Sequence, residues 1–151
     1  MSGDEIHIGD LADPVLTPIQ QGARDGAEQF PVDLSQEAIL GEAVERTGLS
    51  DFGAEDFRVR LESQLRSVNE DAGLGAVGRI SVYRDLVRYA VNRLRFEGLL
   101  KRHPEILDVE IREPIIIGGL PRSGTTHLLN LIAADSRLRS LPYWESLEPV
   151  P

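Results

Sequence analysis

The 151-residue sequence contains no cysteine, and that absence removes several classes of function. Without a thiol there can be no disulfide scaffold, no thiolate metal site and no cysteine nucleophile, which fits a reducing cytoplasmic environment. A long hydrophobic run is also lacking. The longest nearly apolar stretch, residues 114–121, is far too short to span a bilayer, and no basic leader opens the chain. We therefore expect a cytoplasmic protein with no membrane partner.

Positive charge is scarce in this sequence and unevenly placed. The chain has 16 Lys and Arg against 25 Asp and Glu, for a net charge of −9. Residues 1–71 carry a net charge of −11, whereas residues 72–151 carry +2. The overall acidity argues against nucleic acid as a partner, because nonspecific binding to phosphates needs a basic surface. An anionic small molecule would favour the second half of the chain.

The first two thirds of the chain divide into an arm and a helical region. Residues 1–32 contain three prolines and four glycines without apolar periodicity, which predicts an extended or mobile arm. Residues 33–104 show the spacing of amphipathic helices, the first of them capped by Asp33 and Gln36. Pro104 ends the last one. The pattern predicts helices over about 33–47, 54–70 and 76–102.

An apolar segment with a different pattern follows the helical region. Ile115, Ile116 and Ile117 are consecutive β-branched residues bounded by glycines, which is typical of a strand buried on both faces of a parallel sheet. The sequence therefore predicts an α/β fold, with residues 105–151 forming the start of a nucleotide-binding domain. Few other segments could pair with this strand. We accordingly expect the chain to be the front part of a larger α/β protein and to self-associate as a homo-oligomer.

The glycine loop after this segment carries the chemistry. The loop runs from Gly119 to Gly124 and leads through Thr125 and Thr126 into an amphipathic helix that we expect to begin near Gly124 and to end near Asp135. Backbone N–H groups and a helix N-terminus directed at one point form an anion site. Arg122 adds a fixed positive charge with paired donors, which suits a tetrahedral oxyanion. The predicted ligand is a phosphate or a sulfate ester.

Three alternatives remain open at this point. The nucleotide-triphosphate loop has four residues between two glycines and then a lysine, but this sequence has Thr125 at the lysine position. A magnesium-dependent nucleotide kinase or hydrolase is therefore a weaker interpretation than a protein that binds a donor with a single 5′-phosphate chain end. The glycines could also serve only a tight turn. In that case the chain would be a non-catalytic interaction module.

The loop and its flanks resemble a known family. Residues 114–132 are similar to the 5′-phosphosulfate loop of sulfotransferases that use 3′-phosphoadenosine 5′-phosphosulfate (PAPS), especially the bacterial and actinobacterial branch. The resemblance extends over roughly the last seventy residues. It implies a P-loop-type sulfotransferase fold, transfer of a sulfuryl group from PAPS to a hydroxyl or amine of a small acceptor, and no required metal.

The resemblance also implies roles for individual residues. Arg122 would contact the oxygen that bridges phosphate and sulfuryl group, while Ser123, Gly124, Thr125 and Thr126 would hold the 5′-phosphate. Glu145, beside Trp144, would be the base that takes the acceptor's proton. The family binds the donor's 3′-phosphate with elements well downstream of the loop. We therefore expect those residues to lie beyond Pro151, and the fragment alone to be inactive.

Overall fold

The computed structural model describes residues 14–150, and within that range the secondary structure is helical. Five of the elements lie before the glycine loop and two lie after it. The described residues contain six α-helices and one 3-10 helix: α1 (Pro18–Glu28), α2 (Gln36–Thr47), α3 (Phe57–Glu70), α4 (Ala76–Arg102), the 3-10 helix Pro104–Asp108, α5 (Thr125–Ala133) and α6 (Tyr143–Leu147).

The chain forms two compact units, each with its own buried residues. The described part of the first unit comprises residues 14–42 and 54–88, and the second comprises residues 43–53 and 89–150. The buried hydrophobic side chains of the first unit are Leu34, Ile39, Leu40, Leu65, Leu86 and Val87. Those of the second are Ala43, Phe52, Ala90, Val91 and Leu94. The buried core of the second unit thus comes from residues before the glycine loop.

The two longest helices confirm the periodicity in the sequence. Helix α4 has the predicted bounds, and α3 begins three residues later than expected. In α3, Leu65 is buried, and Phe57, Leu61 and Val68 on the same face are half-buried. Spacings of three and four residues place side chains on one face of a helix, which is why this pattern could be read directly. The last turn of α3 is joined to the chain before α2 by a 3.0 Å hydrogen bond from Asn69 Nδ2 to the Leu34 carbonyl.

Part of the N-terminal segment is helical where an extended or mobile arm was expected. The expectation for residues 1–13 lies outside the described residues, but Pro18–Glu28 is helix α1. Its N-cap Thr17 accepts a hydrogen bond from the Gln20 amide, and the Gln20 side chain accepts one in return from the Thr17 amide. Pro18 occupies the first turn, where its missing N–H costs nothing. This helix buries no residue, so capping rather than packing defines it.

The start of α2 also differs from its prediction. The Ser35 hydroxyl, not the Asp33 carboxylate, accepts a hydrogen bond from the Ala38 amide at 3.2 Å. Serine and aspartate cap helices about equally well, so local geometry decides between two candidates two residues apart. The helix ends at Thr47, immediately before Gly48, as predicted.

The prediction of an α/β fold with a first central strand is wrong for the described residues. No residue from 14 to 150 lies in a β-strand, and the side chains of Ile115 and Ile116 are 59% and 87% exposed. A strand exists only through hydrogen bonds to a neighbouring strand, and no other described segment provides them. Ile115 and Ile117 instead line a cavity of about 590 Å³ together with Leu129 and Ile132 of α5.

The loop between α2 and α3 is fixed to α4 by an ion pair. Asp51 accepts hydrogen bonds from the Lys101 ammonium and from the Gly53 amide, the latter at 2.8 Å. The hydrogen bond from Lys101 is the largest cause that holds the pKa of Asp51 below its usual 3.8, followed by the Gly53 amide. Arg93 Nε donates a further hydrogen bond to the Phe52 carbonyl at 2.6 Å.

The lowered pKa of Asp51 predicts an acid-side loss of stability. The contribution of this carboxylate is fully present above pH 3.8 and is lost as the pH falls through its lower folded-state value. Lys101→Gln removes the main cause, so we expect the Asp51 pKa to rise toward 3.8. Carboxyl-carbon NMR titration of wild type and variant measures this. An Asp51 pKa that is the same in both proteins would contradict the ion pair.

No helix among the described residues is long and apolar enough to cross a membrane.

Candidate functional site

A tight turn shapes the loop between residues 118 and 124. The Ser123 amide donates a hydrogen bond to the Leu120 carbonyl at 3.2 Å, and the Ser123 hydroxyl donates to the same oxygen at 2.6 Å. Both donors of Ser123 are therefore used inside the loop. In this geometry Ser123 holds the turn, and the donors that remain for a ligand come from the residues on either side of it.

Gly119 lies where a side chain would not fit. A Cβ built on residue 119 would come within 2.8 Å of both Ser123 Oγ and Thr125 Cγ2, whereas one on Gly118 would meet nothing within 4 Å. The turn thus folds back so that its end contacts its beginning. The sequence pattern marks both glycines alike, but the structure makes only Gly119 sterically necessary.

The N-terminus of α5 supplies free amide donors. Its N-cap Gly124 has a φ of 89°, a left-handed conformation that glycine adopts without strain. The first intrahelical amide is that of Leu128, which donates to the Gly124 carbonyl at 3.0 Å. The amides of Thr125 and Thr126 have no acceptor among the described residues. With the helix dipole, these amides and the two threonine hydroxyls form a corner of hydrogen-bond donors whose chemistry suits an anion.

Arg122 is held in an unusual backbone conformation beside that corner. Its φ of 67° lies in the left-handed region, which is costly for a residue with a Cβ. The side chain is exposed and makes no ion pair within residues 14–150. Strained residues of this kind concentrate at ligand sites, where strain is retained for function. Arg122, whose side chain is exposed, thus lies three residues before the free amides at the start of α5.

The contact at Gly119 predicts a specific loss of anion binding. Gly119→Ala would force Ser123 and Thr125 apart, and overpacking of this kind typically costs about 1–3 kcal/mol. We expect the affinity for 3′-phosphoadenosine 5′-phosphate to fall roughly tenfold, as the free-energy equivalent of about 1.4 kcal/mol. Gly118→Ala is the matched control and should leave affinity unchanged. Calorimetric titration of both variants decides the matter, and equal affinities would show that the close approach has no role.

Glu145 lies on α6, and the structure gives it an arginine partner. Its Oε2 accepts a hydrogen bond from Arg139 Nη2 at 2.6 Å. The Glu145 side chain is 25% exposed, while that of Arg139 is 75% exposed. The ion pair fixes one carboxylate oxygen and leaves Oε1 without a hydrogen bond among the described residues. A role for Glu145 as a base therefore depends on Oε1.

His127 is exposed in the first turn of α5, and no described partner orients its ring. After that helix, Arg137 donates from Nε and Nη2 to the Asp135 carboxylate, which lowers the pKa of Asp135 and raises that of Arg137. No group of three or more metal-ligating side chains occurs among residues 14–150.

Three features of the site could not be predicted from the sequence. The strained φ of Arg122 and the contact between Gly119 and the end of the loop are properties of the folded turn, and only the Gly119 residue type hinted at the second. The commitment of both Ser123 donors to Leu120 was likewise not foreseen. The start of the following helix at Thr125, with Gly124 as N-cap, confirms the predicted position.

The geometry defines a class of site: a glycine turn and helix N-terminus that can hold a tetrahedral anion beside an arginine. The chain is structurally similar to sulfotransferase STF1 from Mycobacterium tuberculosis H37Rv, in its type1 crystal form, with a TM-score of 0.71 and 33% sequence identity. The match covers 78% of this chain and 33% of the other, so this chain spans about one third of that sulfotransferase. No protein-family model and no curated protein matches the sequence.

Proposed function

We propose that this chain carries the 5′-phosphosulfate-binding part of a sulfotransferase that uses PAPS as its sulfuryl donor. The observation that carries the proposal is an exposed arginine, Arg122, in a left-handed conformation three residues before a helix whose first amides, those of Thr125 and Thr126, are unpaired within the described residues. The structural similarity to a mycobacterial sulfotransferase supports the same reading. The acceptor would be a small molecule with a hydroxyl or amine.

The proposed anion site divides the work between neutral and charged donors. The amides of Gly124, Thr125 and Thr126, with the threonine hydroxyls, would bind the 5′-phosphate oxygens of the donor. Arg122 would bind the oxygen that joins phosphorus to sulfur, where negative charge develops as the sulfur–oxygen bond breaks. Donors fixed before the reaction stabilise such charge without reorganisation. Ser123 contributes by holding the turn through Leu120.

The proposed transfer of the sulfuryl group forms one bond to sulfur and breaks another. The acceptor oxygen or nitrogen forms a bond to sulfur, the bond from sulfur to the phosphate oxygen breaks, and 3′-phosphoadenosine 5′-phosphate leaves with that electron pair. The acceptor's proton goes to a base. Glu145 is the candidate for that role through Oε1, while Arg139 fixes its other oxygen. Positioning and charge stabilisation would supply most of the rate.

The proposal is tested by calorimetric titration with 3′-phosphoadenosine 5′-phosphate, without and with magnesium. We expect saturable binding that weakens with added salt and does not require magnesium, because Arg122 and the amides supply the electrostatic contacts. ATP with magnesium is the comparison ligand. Tighter, magnesium-dependent binding of ATP would favour a nucleotide kinase or hydrolase, and no binding of either ligand would favour an interaction module.

A further inference from the structure

The second unit contains another cavity, which has the features of a binding site for an organic anion. It has a volume of about 680 Å³, within the range of small-molecule sites. The lining combines apolar side chains with two arginines and one carboxylate: Leu49, Arg95, Arg102, Trp144, Leu147, Glu148 and Val150. None of the residues of the glycine loop belongs to it.

Charge is the first argument for an anionic occupant. Arg95 and Arg102 are seven residues apart on α4, which places them on the same side of the helix two turns apart. Neither makes an ion pair with another described residue. Glu148 is the single acidic residue of the lining, so the cavity has an excess of one positive charge in a protein whose net charge is −9.

The walls of the cavity are held by specific contacts. Asn92 Nδ2 donates a 2.6 Å hydrogen bond to the Leu147 carbonyl, which fixes the end of α6 to α4. Gly98 lies between the two arginines. A Cβ at that position would lie 3.2 Å from Leu49 Cδ1 and 3.4 Å from Arg102 Nη1. The side chains of Leu49 and Arg102 therefore pack against the helix surface at Gly98.

Trp144 is the second argument. Its indole is 69% exposed although it lines the cavity with Leu147 and Val150. An exposed aromatic surface in the same lining as two arginines suits a ligand with an apolar body and an acidic head group.

From the charge and the walls together we propose that the cavity binds an amphiphilic organic anion: a carboxylate, sulfate or sulfonate head near Arg95 and Arg102, with an apolar body against Leu49 and Trp144. The proposal goes beyond the proposed function and does not depend on it, because it uses no residue of the glycine loop.

Trp144 is the only tryptophan in the sequence, so selective tryptophan fluorescence reports on this cavity alone. The probe is octanoate, with 1-octanol and octyltrimethylammonium as the neutral and cationic comparisons. We expect octanoate to change Trp144 fluorescence saturably and to bind at least tenfold more tightly than octanol, because it gains charge-assisted hydrogen bonds. Octyltrimethylammonium should bind more weakly than either.

Substitutions distinguish the contribution of charge to ligand affinity from that of apolar burial. Arg95→Gln with Arg102→Gln should reduce octanoate affinity at least tenfold and leave octanol affinity unchanged, whereas Glu148→Gln should increase octanoate affinity. Arg84→Gln, on an exposed α4 position outside the cavity, is the matched control. Absence of a saturable fluorescence change, equal binding of octanoate and octanol, or unaltered octanoate binding in the double variant would each overturn the proposal. The fluorescence experiments do not involve Arg122, so a negative result in them would not bear on the proposed phosphosulfate site.

Discussion

Arg122→Ala is expected to weaken the binding of 3′-phosphoadenosine 5′-phosphate and PAPS roughly tenfold to a hundredfold. The substitution removes a charge-assisted contact that backbone amides cannot replace, and such contacts contribute about 1.5–3 kcal/mol. Arg122→Lys should retain part of the affinity, since it keeps the charge but loses the paired donors. Isothermal calorimetry measures all three proteins.

The left-handed backbone at Arg122 permits a sharper version of this test. Arg122→Gly removes the same charge but also relieves the strain at a φ of 67°, so its free energy of unfolding should be higher than that of the alanine variant by up to about 1 kcal/mol. Its donor affinity should nevertheless be as poor as that of the alanine variant. Arg112→Ala, an exposed arginine paired with Glu110, is the control and should bind normally. Full affinity in both Arg122 variants would make Arg122 an ordinary surface residue.

Leu94→Ala is expected to lower the free energy of unfolding by about 2–5 kcal/mol. Leu94 is fully buried in the second unit, and truncation to alanine loses the burial of the side chain and leaves a cavity. The loss is large against a total stability of about 5–15 kcal/mol for a typical domain. Chemical denaturation followed by far-ultraviolet dichroism measures it.

Leu107→Ala is the matched control for this substitution. Leu107 is 72% exposed, so its truncation should change stability by less than about 0.5 kcal/mol. Similar losses in the two variants would mean that α4 does not contribute the core that the structure assigns to it.

The sequence was sufficient to predict the elements that depend on local spacing. Helices α3 and α4 follow from apolar periodicity, and the start of a helix near Gly124 follows from one glycine. The structure confirms all three, although α3 begins three residues later than expected. Helix α1 is marked in the sequence by the capping residues Thr17 and Gln20 but not by apolar periodicity. Capping involves few residues, so it leaves no periodic trace.

The features that the sequence did not predict depend on residues that come together only when the chain folds. Three consecutive isoleucines indicate that a segment could be buried in a sheet, but whether it becomes a strand depends on partners elsewhere, and Ile116 remains exposed here. The arrangement of the loop likewise depends on contacts that form only in the folded chain. Its composition predicted an anion site, whereas the closeness of Gly119 to Ser123 could be seen only in the folded turn.

Backbone amide NMR during titration with 3′-phosphoadenosine 5′-phosphate tests the central claim most directly. If the glycine turn and the start of α5 hold the 5′-phosphate, the amide resonances of Gly124, Thr125 and Thr126 should show the largest shifts, with saturation at a common dissociation constant. The amide of Ser123, already bonded to Leu120, should shift less. Saturable binding whose largest shifts fall outside residues 118–127, or no binding at all, would contradict the assignment of this loop as the phosphosulfate site.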